Sequence, residues 1–513
     1  MKLTAPSSFA APSFAKHLET AICLWLIACV TGFVIVSRHW PMVGDVTYMH
    51  YVVFLMHHGM EPYRDIVDMN LPGSYMLEAA AMAVLGPGAA GWRIYDLLLL
   101  ALASVSVLSI LRPSGRLAGI FAAALFVLVH AQDGVIMSGE RDFAAAVFLL
   151  ASTALLFTAL RGEPAKTSPL RLVFASGAVS GLALIIKPTL LPLAAALFLW
   201  MVWASRQRKA NTLRLAAASI AGAVIPMAAS VAFLIRHHAV AAFWSDLHSL
   251  IPYHASFGHR TFGYLVAHSI SPLLPLLALW LVAAFLLRRE AFNPERIALF
   301  LAAFGGLFSY VAQQKGFAYQ RYPLLGFLVL LIAMDLATLI RRNGRVPRTV
   351  GWVGIAMGVV FATQFLVRCS HFDRFDEPRP LLADLNALGV QPGQVQCMDT
   401  GGNCIDSLYA GRILQSTGFL YDCYMLDGTN PVALDLRRRF WQQMQLNPPR
   451  LIVVTDSLCY DVAPSYDKYS RWPEFQSFLD ANYALARQSG PQQPVRYWSR
   501  SAVPFGYRIY AHR

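Results

Sequence analysis

Charged residues are scarce in this chain of 513 residues. Only 14% of its residues are Asp, Glu, Lys or Arg, whereas 56% are hydrophobic. A soluble protein of this length carries about 25% charged residues. The deficit excludes an ordinary soluble globular protein and indicates that lipid is the main solvent of the chain.

Motifs for soluble cofactors are also missing. The sequence contains no GxxxxGK[ST] phosphate loop and no strand–GxGxxG–helix unit, which are common signatures of nucleotide binding. It contains no HExxH motif and no CxxC pair, so it assigns no cofactor and no metal ligand, and it leaves open whether a divalent ion takes part. An enzyme with this sequence would need a donor that is already activated in the membrane.

The net charge of +13 does not indicate nucleic acid. Lys and Arg gather in short clusters between apolar runs, which is typical of loops held on the cytoplasmic face of a membrane. We therefore expect membrane lipids, and no nucleic acid, among the partners of the chain.

Apolar runs long enough to cross a membrane recur along the chain. A helix needs about 20 apolar residues to cross the hydrocarbon core, and the sequence predicts about eleven such helices. Their approximate positions are 20–37, 93–111, 117–131, 143–160, 172–186, 189–204, 214–235, 266–287, 297–313, 322–340 and 350–367.

The distribution of basic residues tests how the run from Leu172 to Ala204 is divided. Lys187-Pro188 breaks that run near its middle, and counting two helices there places every basic cluster on one side of the membrane. The positive-inside rule makes that side cytoplasmic. The sequence therefore predicts a cytoplasmic N-terminus and a C-terminal segment on the opposite side. The basic clusters lie at 112–116, 161–171, 206–214, 288–296 and 341–348.

The segment after the last predicted span has the pattern of a folded domain. "PRLIVVTD" is typical of a buried strand, "PEFQSFLDANY" of a short amphipathic helix and "YRIYAHR" of a final strand. We predict a membrane all-α fold in which residues 1–367 form the transmembrane domain and 368–513 form an extracytoplasmic α/β domain. Cys397 and Cys404 are a candidate disulfide in that domain, with free buried thiols as the alternative.

Side chains able to carry chemistry collect in the first outer loop, about 38–92. Asp45 begins a stretch with helical spacing, where its carboxylate can act as a general base or as the cap of that helix. A polar stretch follows, and it is either a cradle for a sugar donor or a solvated loop with local ion pairs. Its members are Glu61, Tyr63, Arg64, Asp65 and Asp68.

The second outer loop carries Glu140, Arg141 and Asp142 where the fourth span begins. Acidic residues at a helix N-terminus complement the helix dipole. However, three consecutive ionisable residues at membrane depth are costly unless they face a wet cavity or each other. The loop is therefore a candidate for a site as well as for a stabilised helix start.

Lys187 and Arg321 each stand among apolar residues at the predicted outer ends of spans. Snorkelling to the interface explains both, and binding of a lipid phosphate is the functional alternative. Tyr322, beside Arg321, fits an interfacial aromatic belt. The histidines of the 236–265 loop, which include His254 and His259, are further candidates for contact with a substrate.

The first loop, "GDVTYMHYVVFLMHHGMEPYRDIVDMNLPGSYML", resembles a segment of bacterial membrane glycosyltransferases related to protein O-mannosyltransferases. These belong to the GT-C class, which includes the aminoarabinose transferase that modifies lipid A. The similarity covers most of the chain and continues in "WRIYDLLLL", "SGERDFAAAVFLL", "GLALIIKPTLLPL", "AYQRYPLLGFLVLL", "PRLIVVTD" and "FQSFLDANY".

The resemblance implies an inverting glycosyltransferase of the bacterial inner membrane. Its donor would be a sugar carried on polyprenyl phosphate, and its acceptor an extracytoplasmic glycan, lipid or protein. Asp45 and Glu140 take the catalytic positions. The implied substrate-binding residues are Lys187, Arg321, Arg141, Arg64, Asp65, Asp68, Tyr63 and Tyr322.

The chain departs from the family pattern at two places. Val46 stands where an acid usually follows the first Asp, and Asn70-Leu71-Pro72 replaces a Lys-Pro-Pro-type stretch whose Lys is associated with the donor phosphate. Arg64, Lys187 or Arg321 would have to replace that Lys. Two alternative functions therefore stay open, a flippase of polyprenyl-linked glycans and a non-catalytic binding subunit of the same fold.

Overall fold

The structure is a computed structural model. It describes residues 12–161, 168–290, 292–370, 380–400, 403–457, 465–490, 496–497, 500–501 and 506–513. One part of the predicted basic loop at 161–171, with Lys166, lies outside these residues.

Helices dominate the described part of the chain. They are α1 (Pro12–Val36), α2 (Asp45–His57), α3 (Pro72–Leu85), α4 (Ala89–Ile110), α5 (Arg116–Asp133), α6 (Arg141–Arg161), α7 (Pro169–Ile186), α8 (Leu191–Gln207), α9 (Thr212–Arg236), α10 (Val240–His248), α11 (Leu250–Ala255), α12 (Phe262–Ile270), α13 (Leu274–Leu286), α14 (Pro294–Gln313), α15 (Tyr322–Arg341), α16 (Arg345–Ser370), α17 (Pro380–Ala387), α18 (Asn403–Ala410), α19 (Pro431–Leu446) and α20 (Pro473–Asn482).

Eleven helical segments of the described chain are long and apolar enough to cross a membrane. They coincide with the eleven predicted spans, so the chain is a multi-pass membrane protein. One span combines α12 and α13, which a short 3₁₀ turn at Ser271–Leu273 joins.

The break at Lys187-Pro188 separates two helices, as the charge pattern predicts. Helix α7 ends at Ile186, Lys187 has an extended backbone, and a 3₁₀ turn at Pro188–Leu190 leads into α8. The cause is local, since the residue before a proline is disfavoured in the helical region and proline has no backbone N–H. The turn places Lys187 at the tip of a helical hairpin.

Helix α2 begins with a turn rather than with a side-chain cap. Gly44 has a φ of +68° and occupies the cap position, and Asp45 is the first helical residue. No side chain caps this helix, so the alternative interpretation of Asp45 as an N-cap is wrong. Its carboxylate is available for other contacts.

The C-terminal part contains a four-stranded sheet. Its strands are β1 (Val395–Met398), β2 (Leu451–Thr455), β3 (Tyr483–Ser489) and β6 (Tyr507–His512), and a separate pair is β4 (Arg496–Tyr497) with β5 (Arg500–Ser501). The order is β1-β2-β6-β3, with β1 and β2 parallel and β6 antiparallel to both of its neighbours. The strands and helix predicted in this part are confirmed, and a disulfide joins Cys397 to Cys404. The domain boundary at 367 and 368 stays a prediction, and α16 extends to Ser370.

The loop between α2 and α3 packs directly against the sheet-containing part. Val67 forms a parallel β-bridge with Phe419, and Gln443 on α19 donates to the Asp65 carbonyl at 2.9 Å. Gln443 also accepts the backbone N–H of Gly418 at 2.7 Å. These contacts fix the C-terminal part over one end of the helix bundle, which we call the sheet-bearing end.

Helices α7 and α9 pack against each other through glycines. A Cβ placed on Gly222 would lie 2.1 Å from the Phe174 carbonyl oxygen, and one on Gly177 would lie 2.0 Å from the Ser219 carbonyl oxygen. Small residues that let backbones approach closely are characteristic of helix contacts in membranes. The spacing of α7 and α9 therefore depends on these two positions.

Gly222→Leu should separate α7 from α9 and destabilise the protein by about 3 kcal/mol, because the added side chain overpacks a backbone contact. The melting temperature in detergent measures the effect. The neighbouring Ala221→Leu is the matched control, since Ala221 is exposed on the outside of the bundle. Equal melting temperatures for the two variants would contradict the close contact.

Candidate active site

A cavity of about 870 Å³ lies at the sheet-bearing end of the bundle. Its walls come from the start of α2, the loop before α3, the α7–α8 turn, α11 and the segment between α14 and α15. The C-terminal part closes one side. The ionisable residues in its lining, apart from tyrosine and cysteine, are Asp45, Arg141, Lys187, His254, His259 and Lys315.

Asp45 and Arg141 form an ion pair in the wall of this cavity. Arg141 Nη2 lies 3.2 Å from Asp45 Oδ2, and the Asp45 side chain is 41% exposed. The turn at Gly44 places the carboxylate at the start of α2, and the loop before α6 brings in the guanidinium. Asp45 is therefore an oriented carboxylate that an incoming molecule can still reach.

Lys187 reaches the same cavity from the tip of the α7–α8 hairpin. Its Nζ lies 3.0 Å from Asp142 Oδ1, and Asp142 is buried. The Asp142 carboxylate holds the Lys187 ammonium in place, and Lys187 still lines the cavity. Of the two lone cations that the sequence singles out, this one lines the cavity.

Lys315 is a third cation in the wall, and the sequence interpretation did not include it. Its ammonium donates to the backbone carbonyls of His254 (3.0 Å), Ala255 (3.1 Å) and Phe257 at the end of α11. Burial lowers the pKa of Lys315 to about 8. The signal in the sequence was a lone Lys in the short segment between two spans.

His254 is neutral in this setting. Burial, followed by the charges of Lys315, Lys187 and Arg141, lowers its pKa to about 3. Its Nδ1 lies 2.7 Å from the Tyr424 hydroxyl. The cavity therefore combines three cations with one exposed carboxylate, and this balance suits an anionic ligand such as a phosphate.

Glu140 lies behind Asp45 and Arg141, and its side chain is buried. It borders a second, small cavity together with Arg141 and Glu78. Burial, and then the nearby Asp45 carboxylate, raise the pKa of Glu140 well above its ordinary value. Its protonated form is favoured there, so it differs chemically from the exposed Asp45.

Asp68 does not line the cavity, but it holds Asn70, which does. The carboxylate is buried and accepts hydrogen bonds from Asn70 Nδ2 at 2.9 and 3.0 Å and from the Tyr75 hydroxyl at 2.9 Å. Asn70 and Leu71 line the cavity. Asp68 thus fixes the loop that stands where the family pattern has its Lys.

Several predicted binding residues do not line this cavity. Arg64 and Asp65 form an exposed ion pair at 2.8 Å, and Tyr63 is buried with its hydroxyl donating to the Asn70 carbonyl at 2.7 Å. Arg321 pairs with Asp133 at 2.5 Å. The loop residues form the local pairing that the sequence allowed as an alternative.

Tyr322 and Arg321 are held inside the bundle. Tyr322 is completely buried, and its hydroxyl lies 3.1 Å from His130 Nδ1. Arg321 also donates to the His268 carbonyl and the Ser271 hydroxyl. Their neighbours Tyr319 and Gln320 line the cavity instead.

The C-terminal part contributes an aromatic wall that the sequence interpretation did not identify. Tyr421 and Tyr424 line the cavity, and the Tyr421 ring stacks on Tyr48 at 4.7 Å between centroids. Asp422, between the two tyrosines, fixes this segment. Its carboxylate pairs with Lys468 Nζ at 2.6 Å and accepts a hydrogen bond from the Tyr469 hydroxyl at 2.7 Å. The run of aromatics in "GFLYDCYM" was the available signal.

Metal ligands are not gathered in this site. Among the residues that the structure describes, no three His, Cys, Asp or Glu side chains form a group that could hold a metal ion. The chemistry that the described side chains offer is acid–base chemistry at Asp45 and Glu140 and anion binding by the three cations.

Glu140→Gln should stabilise the protein at pH 8, and the gain should shrink as the pH falls towards 4.5. The folded-state pKa of Glu140 is raised above its ordinary 4.5, so its ionised form disfavours the fold and the wild type loses stability as the pH rises. Asp45, Glu78, Arg141 and Asp142 surround this group.

Melting temperatures between pH 4.5 and pH 8 test this expectation. The exposed Glu290→Gln is the control and should show no such trend. A Glu140→Gln protein that is less stable than the wild type at pH 8 would contradict the raised pKa.

Known proteins share the fold that carries this site. No protein-family model matches the sequence, and no curated protein matches it. The structure is similar to that of ArnT from Cupriavidus metallidurans in the apo state, with a TM-score of 0.61 and 12% identity over 96% of this chain and 98% of that chain. For ArnT bound to undecaprenyl phosphate the TM-score is 0.59, with 12% identity over 97% and 98% of the two chains.

An archaeal protein shares the same architecture. The oligosaccharyltransferase AglB from Archaeoglobus fulgidus, in complex with an inhibitory peptide and a dolichol-phosphate, matches with a TM-score of 0.51 and 12% identity over 86% of this chain and 70% of that chain. Identities this low establish the fold. The chain therefore has the fold of the GT-C glycosyltransferases, the class to which ArnT and AglB belong.

Proposed function

We propose that the chain is an integral membrane glycosyltransferase that moves a sugar from a polyprenyl-phosphate donor to an acceptor, with inversion at the anomeric carbon. The observation that carries the proposal is one reachable carboxylate, Asp45, set in a cavity with three cations. The ArnT complex with undecaprenyl phosphate and the AglB complex with dolichol-phosphate support the donor class.

Lys187 and Arg141 would bind the donor phosphate, and Lys315, whose N–H groups donate to the α11 carbonyls, would add its positive charge. Lys187, Arg141 and Lys315 line one cavity, and preorganised cations stabilise the charge that develops on a leaving phosphate. Lys187 would replace the Lys that is absent at Asn70. Asp142 and the α11 carbonyls hold two of these cations in position before a ligand arrives.

Asp45 would accept the proton of the acceptor hydroxyl or amine. As the acceptor attacks, its new bond to the anomeric carbon forms on the face opposite the phosphate. The carbon–oxygen bond to the phosphate breaks as this new bond forms, and its electron pair leaves with polyprenyl phosphate. One carboxylate suffices for this single displacement, because no covalent sugar–enzyme intermediate has to form and then be hydrolysed.

Glu140 would support this step as a neutral acid. Its pKa is raised by burial and by Asp45, so it can stand beside the Asp45 carboxylate without a second negative charge. It thereby keeps Arg141 available to both Asp45 and the donor phosphate.

The orientation of the chain follows from the same proposal. The described residues of the basic loops lie at the end of the bundle opposite the cavity, and the positive-inside rule would put that end and the N-terminus in the cytoplasm. The sheet-bearing end would then face the periplasm of a bacterial inner membrane. The cavity would take its acceptor from that side and its donor from the adjoining leaflet.

Asp45→Asn should lower sugar transfer at least about 100-fold, the usual effect of losing a general base. Binding of undecaprenyl phosphate should change little, because the three cations remain. Transfer is measured with membranes that contain polyprenyl-phosphate sugars, and binding by native mass spectrometry of the purified protein.

Asp435→Asn is the matched control for this variant. Asp435 is also paired with an arginine and is 47% exposed, but it lies on α19 away from the cavity. Wild-type transfer by the Asp45→Asn protein would refute the assignment of the base.

Lys187→Met should weaken binding of undecaprenyl phosphate about tenfold or more, because a hydrogen bond to a charged group contributes about 1.5–3 kcal/mol. Lys187→Arg should retain most of the affinity, because it keeps a cation at this position that can still pair with Asp142. Lys209→Met, in the exposed turn between α8 and α9, is the control. Equal affinities for the Lys187→Met and Lys209→Met proteins would remove Lys187 from the phosphate site.

A further inference from the structure

We propose that Asp96, held by Arg93 and His130, is the positioning residue for the loop that carries Glu140 and Arg141. The proposal rests on the function proposed above, because it concerns the geometry of that site. It assigns a role to a group of buried ionisable residues that do not touch the cavity.

Asp96 binds the loop directly from the interior of the bundle. Its side chain on α4 is completely buried, and Oδ1 accepts the backbone N–H of Gly139 at 2.7 Å. His130 Nε2 on α5 lies 3.1 Å from the same oxygen. The Arg93 guanidinium bonds to the other carboxylate oxygen.

Trp92 holds the preceding loop residue from the same face of α4, one turn earlier. Its Nε1 donates to the Ser138 carbonyl at 3.0 Å. Gly139 has a φ of +64°, and a Cβ at that position would lie 2.3 Å from the Trp92 ring. Trp92 and Asp96 thus bind two consecutive loop residues, and Glu140 and Arg141 follow immediately.

The carboxylate of Asp96 is secured by groups from several helices. Arg93 also bonds to the Ser37 hydroxyl, next to α1, and its guanidinium lies 5.1 Å from the Phe33 ring centroid and 4.9 Å from that of Trp40. Breaking one partner of a buried ion pair is strongly destabilising. The loop is therefore tied to a rigid part of the bundle.

This arrangement also accounts for Tyr322. Its hydroxyl contacts His130 Nδ1 at 3.1 Å, so it belongs to the group around Asp96 and fixes the orientation of the imidazole. A residue that the sequence suggested for substrate binding therefore acts through His130 and Asp96.

A second buried ion pair provides a matched control. Asp335 is buried and accepts from Arg296 at two distances of 2.9 Å and from Trp280 Nε1 at 2.9 Å. It resembles Asp96 in burial and in its arginine partner. It lies at the opposite end of the bundle, and neither it nor these two partners belong to the described lining of the cavity.

The experiment compares Asp96→Asn with Asp335→Asn in the full-length protein. Both variants lose a buried charge, so both should melt at a lower temperature. Hydrogen–deuterium exchange of a peptide spanning 134–142 should become about tenfold faster in the Asp96→Asn protein and stay unchanged in the Asp335→Asn protein, because only Asp96 binds a loop amide.

Binding of undecaprenyl phosphate is the second readout. Its affinity should fall about tenfold in the Asp96→Asn protein, because Arg141 is no longer held in place, and should stay within about twofold of the wild type in the Asp335→Asn protein. If the loop exchanges equally in both variants, the proposal is overturned.

The two proposals can fail separately. Faster loop exchange in the Asp96→Asn protein, together with no binding of the lipid by the wild type, would keep the positioning role and refute the proposed function. Should the Asp96→Asn protein not fold, Trp92→Phe replaces it and removes the donor to Ser138 together with the part of the indole ring that packs against Gly139. Faster exchange at 134–142 is then the supporting result, and wild-type exchange the contradicting one.

Discussion

An ion in hydrocarbon requires a counter-ion, and the described helices of this chain are arranged around that requirement. Charged side chains at membrane depth are expensive unless they pair or face water. Several largely buried pairs here join residues from different helices, whereas Arg93 and Asp96 lie on one helix. Examples are Arg161 with Glu295, Arg296 with Asp335 and Arg321 with Asp133.

The degree of exposure separates the pairs of the site from those of the scaffold. In the Arg93–Asp96 pair the side chains are 3% and 0% exposed, whereas in the Arg141–Asp45 pair they are 18% and 41% exposed. The Arg141–Asp45 pair is therefore open to the cavity, whereas the Arg93–Asp96 pair is closed off. A scaffold of buried pairs supports a pair that an incoming molecule can reach.

Much of the architecture could be predicted because it depends on local properties of the sequence. The lengths of the apolar runs predicted the membrane spans. The steric restriction that Pro188 imposes on the residue before it predicted the turn at Lys187. The position of Arg321 could not be predicted, because its partner Asp133 lies on another helix far away in the sequence. Lys315 and Tyr421 were missed for the same reason, since only the fold brings them to Asp45.

The aromatic wall around Tyr421 has a consequence for the biosynthesis of the protein. Asp45 enters the membrane with the first helices, but Tyr421 and Tyr424 are synthesised only after the last span has been completed. The cavity therefore cannot exist while the ribosome is still inserting the helices. A nascent chain carries its carboxylate and its cations without an enclosed site, and the cavity is closed only when the segment after the last span has folded and docked on the α2–α3 loop.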